Sequence, residues 1–556
     1  MFPLEAINFS QLLSTNNLII YLIMSVAVAV ILLFSAQKFL LSLQQGGYQG
    51  RRYFKWLFSP QTAYLTRLTL LSMLGFLFFC ILSTCFAPIC GETASSYIGF
   101  ISFFLFVAVY INTERQVNKK VPLKITKRMI RLCVTYFIVI VAFTFGSIIL
   151  LNYLAFVINI QVVAILRYSL ICLIPILMPL LLIVAYGINE PFEEIIRIKI
   201  QRNATLKLQN SNVLKIAITG SYGKTSVKEI LKTLLSQKYR VLATPSSYNT
   251  PLGIALTLKD LDNTHDIFIA EMGARYKGDI KQLTEIVKPS VGILTGINNQ
   301  HLESFGSIEN IKKTKFELFE GLANGGKGFF SLESEGAKEL FEKFDGEKYA
   351  VNQQDTLVYA TDIERDSNGI SFTLNIKGEQ PIKCNTILLG THSVKNICLA
   401  SAVAYNIGLG VEDIQMGISR LKAVGHRLEL VPNNKEIVLI DDSYNSNEDG
   451  IKAAMEVLDS FTGRKIVLTP GLVELGKMEN IANYNFGKTL AQHADKVIVI
   501  GSHNAEMIIS GLLDGNMQRE NISFCKTLSK GNELLSTILQ KGDVVLFEND
   551  LPDNYS

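Results

Sequence analysis

At 556 residues the chain is too long for one hydrophobic core and calls for about three or four units. Lys and Arg number 53 against 49 Asp and Glu, a net charge of +4, which is too nearly balanced to argue for a nucleic-acid partner. Apolar residues crowd into the part before residue 190, which excludes an ordinary soluble protein of uniform composition.

Five apolar runs come first: Leu18 to Leu40, Leu68 to Ala87, Tyr97 to Ile111, Leu132 to Phe156 and Val162 to Ile188. Most reach the ~20 residues that a bilayer-crossing helix needs; the third is short. No basic segment precedes the first run and no small-residue cleavage site follows it, so a removable leader is not expected. Lys38, Arg51, Arg52, Lys55 and Arg67 lie between the first two runs, and Arg115, Lys119, Lys120, Lys124, Lys127 and Arg128 between the third and fourth. The other two connections carry no Lys or Arg. The positive-inside rule then places the N-terminus outside and everything beyond the fifth run in the cytoplasm, as a multi-pass protein of the inner membrane. Arg167 reads as snorkelling to the interface or as a buried functional charge, and no run shows a paired acid and base of the kind that lines a transport path. Cys85 and Cys90 are near enough to bridge or to remain free thiols, and Cys384, Cys398 and Cys525 lack metal-type spacing.

Residues 190–212 are polar and basic and read as a helical linker. An apolar strand-like segment, Val213 to Ile218, then leads into Thr219-Gly220-Ser221-Tyr222-Gly223-Lys224-Thr225-Ser226 and a helical pattern through Val227, Ile230, Leu231 and Leu234. Strand, glycine turn and helix make a phosphate-binding loop: backbone N–H groups and a helix N-terminus face the phosphates of ATP. Lys224 reaches the terminal phosphates and Thr225 offers its hydroxyl to Mg²⁺. Ile218 stands where the strict eight-residue pattern has its first glycine.

Strand-like runs alternate with helical patterns through about Leu421, including Ile267 to Ala270 and Val291 to Thr295. A second such pattern begins near His426, with strands at Ile437 to Ile440, Lys465 to Leu468 and Lys496 to Ile500. The fold class expected is therefore an α-helical membrane domain (1–189) followed by α/β: a P-loop ATPase domain with a parallel sheet (213–424) and a Rossmann-like domain (425–556). Glu271 sits just past one strand, and His301 follows another; each is a candidate metal ligand or an ordinary structural residue.

The glycine loop, Tyr248-Asn249-Thr250-Pro251-Leu252-Gly253, Glu271-Met272-Gly273, the His301 segment, Gly390-Thr391-His392-Ser393-Val394-Lys395-Asn396 and Asp441-Asp442-Ser443-Tyr444-Asn445-Ser446-Asn447 occur in one order. Over about residues 213 to 555 the chain resembles the Mur ligase family, and most closely its branch that adds D-Ala-D-Ala to a UDP-muramoyl-tripeptide. The resemblance implies a peptidoglycan ligase in which ATP phosphorylates a substrate carboxylate and an amine attacks the resulting acyl phosphate. It also implies Lys224 as the phosphate lysine, Thr225, Glu271, His301 and Lys315 at the metal site, and Lys315 as a carbamylated lysine. By residue type alone Lys315 is a lysine on a solvated helix face. Asn396 is similar to the adenine-contacting asparagine, Arg427 to an arginine near the phosphates, and Asp442 to the ribose-contacting aspartate. Tyr248, Asn249, Tyr444, Asn445 and Asn447 fall where the family meets its acceptor and dipeptide. A helix cap for Asn396 and an Asx turn for Asp442 remain open.

The apolar runs stand where that branch has a small uridine-binding domain, and Val544 to Asp553 differs from its basic terminal segment. The expected partners are thus a dipeptide or amino-acid donor, a UDP-linked or lipid-linked carboxylate acceptor, and the membrane. An amino-acid ligase of the poly-γ-glutamate type and an ATP-binding scaffold without turnover stand as alternatives.

Overall fold

The computed structural model describes residues 14–58, 68–70, 73–78, 81, 85, 89, 123–158, 163–300, 302–433, 436–444, 447–473 and 475–550. The chain divides into two compact units, Met1–Ile198 and Lys199–Ser556.

The first unit holds α1 (Thr15–Ser35), α2 (Gln37–Gln45), α3 (Gly50–Leu57), α4 (Lys127–Ile158) and the beginning of α5 (Val163–Gln209). Among the described residues, three stretches, Thr15–Ser35, Lys127–Leu151 and Ile174–Gln209, are long and apolar enough to cross a membrane. They correspond to the first, fourth and fifth apolar runs. The second run is described only in fragments and the third lies outside the described residues. Most of the polar residues read as a helical linker are helical, the last turns of α5. Phe39, Leu43, Tyr53, Leu57, Leu132, Tyr136, Ile140, Met178 and Leu182 form the buried centre of this unit. The Tyr136 hydroxyl donates to the Met178 carbonyl at 2.9 Å, which satisfies a polar group that burial would otherwise penalise. Trp56, the one tryptophan of the chain, packs against Tyr53 and edge-on to Phe39. At the polar end, Arg131 grips Glu193 through two hydrogen bonds, of 2.5 and 2.8 Å.

The second unit contains two sheets. The larger comprises β1 (Leu214–Thr219), β2 (Val241–Ala243), β3 (Ile267–Glu271), β4 (Val291–Leu294), β5 (Lys327–Ser331), β6 (Glu347–Val351), β7 (Val358–Asp366), β8 (Gly369–Ile376) and β9 (Ile382–Thr386), ordered 2-3-1-4-5-6-7-8-9. From β2 to β7 neighbours run parallel. Strands β3 and β4 are buried along their whole length, and β1 over its last four residues, as continuous apolar runs should be when helices cover both faces. The sheet is largely parallel, as expected, and its last three strands add an antiparallel meander, β7, β8 and β9. Only two residues join β7 to β8, a connection that permits nothing but a hairpin, and β8 buries alternate residues.

Helix α6 (Lys224–Leu235) buries Val227, Ile230, Leu231 and Leu234 at helical spacing and packs with α7 (Thr391–Asn406) on one face of this sheet. The second sheet comprises β10 (Glu429–Leu430), β11 (Val438–Asp442), β12 (Lys465–Thr469), β13 (Lys496–Ile500), β14 (Ile522–Cys525) and β15 (Val544–Glu548), ordered 10-11-15-12-13-14, all parallel except the β10–β11 pair. In the larger sheet Ile218 pairs with both Glu271 and Ile293, so the ends of three central strands reach the same edge. That edge is where ligands gather in open α/β sheets.

Candidate functional site

The glycine loop leaves β1 at this edge. Gly220 has φ +152°, and a Cβ there would stand 2.0 Å from the Thr295 hydroxyl; Gly223, at φ +73°, opens α6. Both positions need glycine, one for space and one for the left-handed turn. The loop is tied down from β4's side: Ser221 N–H donates to the Gly296 carbonyl at 2.9 Å, and the Thr295 hydroxyl donates to the Tyr222 carbonyl. Lys224 folds over the loop, its ammonium donating to the carbonyls of Gly220 (2.8 Å) and Ser221 (3.3 Å). Desolvation pushes the Lys224 ammonium down to about 8, with Glu271 favouring its charge and Arg427 opposing it. An anion arriving in the loop would relieve that penalty.

Glu271 ends β3 and is buried. Its Oε1 accepts from Asn249 Nδ2 at 3.1 Å and its Oε2 from Lys228 Nζ at 3.3 Å. Asn249 belongs to the turn before the short helix Pro251–Thr257, whose start is set by Thr250 accepting from Gly253 N–H and by proline in the first turn. Tyr248, in the same turn, is 45% exposed and available to a ligand. Lys228 was not expected from the sequence. It is fully buried, and its one signal was a charge adjoining the apolar stripe of α6.

Lys315 lies on α8 (Ile308–Glu320) and is buried rather than solvated, which corrects the reading from residue type. Burial first, then the Lys224 charge, holds its ammonium well below the usual lysine range, against the opposing pull of Asp279 and Glu317. Glu317 is spent elsewhere: it accepts from the N–H groups of Gly278 and Lys281, both at 2.9 Å, at the start of the helix Asp279–Val287. His301 lies outside the described residues, as do Asn445 and Ser446.

From the second sheet's side, Arg427 Nη2 approaches the Thr225 hydroxyl at 3.4 Å and stacks its guanidinium 4.4 Å from the centroid of the Tyr444 ring. Asp442 ends β11 and accepts from Leu428 N–H at 3.2 Å. Desolvation pushes its carboxyl up to about 6, against that hydrogen bond and Arg427. Asn396, on α7, meets the loop directly: a Cβ on Gly223 would stand 3.0 Å from its Oδ1. Asn396 is six residues inside α7, which removes the reading of it as a helix cap. The N-cap position of α7 is Gly390; Asn447 caps another helix, its side chain accepting from the N–H groups of Asp449 and Gly450 at the start of α9 (Glu448–Asp459). A cavity of about 750 Å³, lined by Thr225, Ser226, Ser246, His392, Arg427 and Tyr444 among others, opens beside the loop.

The donor set suits Mg²⁺. Thr225 and Glu271 offer oxygen, and among the described residues no three His, Cys, Asp or Glu side chains converge into an all-protein cage. Mg²⁺ takes few protein ligands and completes its shell with phosphate oxygens and water.

Residues 218–404 match the Mur ligase middle domain, and residues 426–548 the glutamate ligase domain of Mur ligases. The UDP-N-acetylmuramoyl-tripeptide–D-alanyl-D-alanine ligase of Haemophilus influenzae is 30% identical over 317 residues, which are 55% of this chain and 67% of that enzyme. Its namesake from Bacillus subtilis is 28% identical over 63% of this chain and 76% of that enzyme. Over the enzymes of the same name from Buchnera aphidicola (strain Bp) and Escherichia coli the match spans 66% and 65% of their lengths, just under two thirds. Among solved structures, the MurF ligase from Thermotoga maritima in complex with ADP superposes with a TM-score of 0.58 at 25% identity, covering 64% of this chain and 80% of that one. A MurF from Acinetobacter baumannii gives the same TM-score and identity over 64% of this chain and 77% of that one.

Proposed function

This chain belongs to the Mur ligase family, and we propose that it is an ATP-dependent ligase that adds D-Ala-D-Ala to a muramoyl-tripeptide precursor of the cell wall. The observation that carries this reading is the meeting of Lys224, Thr225, Glu271, Asn396 and Arg427, from separate segments, around one glycine loop. The relatives named for this reaction favour it over a polyglutamate-type ligase.

A free carboxylate is a poor electrophile, so ATP first phosphorylates it, and the amine then displaces phosphate from the acyl phosphate. The loop's N–H groups and the start of α6 cradle the β- and γ-phosphates. Lys224 exchanges its two loop carbonyls for phosphate oxygens and follows the transferring group. Arg427 approaches the same phosphates from the second sheet, while Asn396 meets the adenine and Asp442 the ribose. Thr225, Glu271, His301 and Lys315, the last as its carbamate, would hold the metal. Bound Mg²⁺ supplies charge neutralisation to the phosphates. Tyr248, Asn249, Tyr444, Asn445 and Asn447 border the acceptor and dipeptide. Alignment of the three ligands supplies much of the rate.

The three apolar helices anchor the ligase in the cytoplasmic membrane, with the catalytic unit inside, beside the synthesis of wall precursors. The direct test is phosphate release by the full chain in detergent, supplied with ATP, D-Ala-D-Ala and UDP-muramoyl-tripeptide or its lipid-linked form. Release that does not depend on the dipeptide with either acceptor would refute the substrate assignment.

A further inference from the structure

Lys228 lies one helical turn beyond Lys224 and is fully buried. Three oxygens surround its ammonium: the Ser246 carbonyl at 2.6 Å, Glu271 Oε2 at 3.3 Å and Glu229 Oε1 at 3.3 Å. The two carboxylates differ in setting. Glu271 is buried at the strand edge, whereas the Glu229 side chain is 36% exposed beside the cavity. A lysine so placed has a partner it can lose and another it can keep. A buried carboxylate stripped of its cation is costly, and so is a buried ammonium stripped of its anion.

We propose that Lys228 is the resident counter-ion of Glu271, occupying the carboxylate until the nucleotide brings its metal and then leaning on Glu229. The inference rests on the reading of Glu271 as a ligand to that metal, and it adds an order of events. Before nucleotide binds, the Lys228 charge repels a free divalent cation from Glu271. Once phosphates are in the loop, their negative charge overcomes the repulsion, and Glu229 keeps the displaced ammonium paired. Throughout, the bond to the Ser246 carbonyl holds the turn that carries Tyr248 and Asn249. Lys228 is thus a positioning residue, touching neither phosphate nor acceptor.

The test is Mn²⁺ binding by the full chain in detergent, read by electron paramagnetic resonance with and without ADP. Glu271→Gln should weaken Mn²⁺ binding in the presence of ADP; no change there would remove the metal role of Glu271 and this inference with it. If Glu271→Gln does weaken binding, the two other variants decide the inference by itself. Lys228→Met should strengthen Mn²⁺ binding without ADP by about tenfold, the effect of removing one nearby positive charge. Lys228→Arg, which keeps the charge, should leave that affinity within about threefold of wild type. Glu229→Gln changes a half-exposed side chain and spares the fold. It should weaken Mn²⁺ binding about threefold with ADP and leave binding without ADP unchanged. Unchanged binding in both Lys228→Met without ADP and Glu229→Gln with ADP would overturn the proposal. So would a loss of Mn²⁺ affinity in Lys228→Met under both conditions, the mark of a merely structural lysine.

Discussion

Arg427 and Thr225 are 202 positions apart in sequence, yet the guanidinium of one reaches the hydroxyl of the other at 3.4 Å. Thr225 is the second residue of the helix that opens on the phosphate loop, and Arg427 precedes the first strand of the second sheet. On the proposed reaction, the contact would bring a charge from the second sheet to phosphates held by the loop. Arg427→Ala should therefore lower kcat by more than about tenfold, the scale of a lost charge-assisted contact in a transition state. Arg427→Lys should restore only part, because a point charge replaces a planar fork stacked on Tyr444. Steady-state phosphate release, with a thermal melt to show an intact fold, checks both.

Lys224 predicts how nucleotide binding depends on pH. Its ammonium is pushed down to about 8, below the ordinary 10.5. The charged form binds phosphate, so affinity for ADP should fall as pH rises through about 8. Its stability contribution has the sign of a depressed group: present above 10.5 and lost as pH falls through about 8. Lys224→Ala should abolish ligation and flatten this limb of an ADP titration; wild-type turnover in that variant would withdraw the assignment.

Asp442 predicts a second, acid limb. Its carboxyl is pushed up to about 6, and on the proposed reading the ionised form is the better acceptor for ribose hydroxyls. Nucleotide affinity should rise as pH climbs through about 6, while the raised group's own stability contribution, complete below 3.8, is lost over the same climb. Asp442→Asn should bind nucleotide weakly and without this acid limb, measured by calorimetry against wild type.

Lys315 is buried, and desolvation favours its neutral amine, the form that takes up carbon dioxide. Lys315→Ala should lose ligase activity severely and regain part of it in formate or acetate, small anions that fit the vacated space. Full activity without Lys315 would dismiss the carbamate.

Gly220→Ala tests the loop's geometry without touching charge. The new methyl would lie 2.0 Å from the Thr295 hydroxyl at a backbone angle of +152°. The cost should be about 2 kcal/mol or more of stability, with loss of nucleotide binding. A melt and an ADP titration read the two effects separately.

The phosphate loop and the central strands were legible because parallel strands buried on both faces read as short continuous apolar runs. The meander β7–β9 was not, since a strand with one exposed face carries a weaker signal and its partner is set by a two-residue turn. Lys224 and Thr225 stand out in the sequence through the strand–glycine turn–helix pattern, and Glu271 only as a candidate just past a strand. Lys228 does not: beside Val227 and Glu229 it reads as a surface cation, and only the crossing of α6 over β3 aims it at a carboxylate 43 positions away. The reverse holds for Asn447. Its place in the motif suggests a ligand contact, and the structure uses its side chain as the N-cap of α9.

Trp56 gives the molecule a built-in reporter. No other indole exists in the sequence, and this one is wedged between Phe39 and Tyr53 in the apolar unit. Red-edge excitation will follow the packing of that unit and nothing else, leaving the nucleotide-handling half optically silent. Paired with circular dichroism, which sees both, a single denaturant series can resolve whether the halves come apart together or in turn.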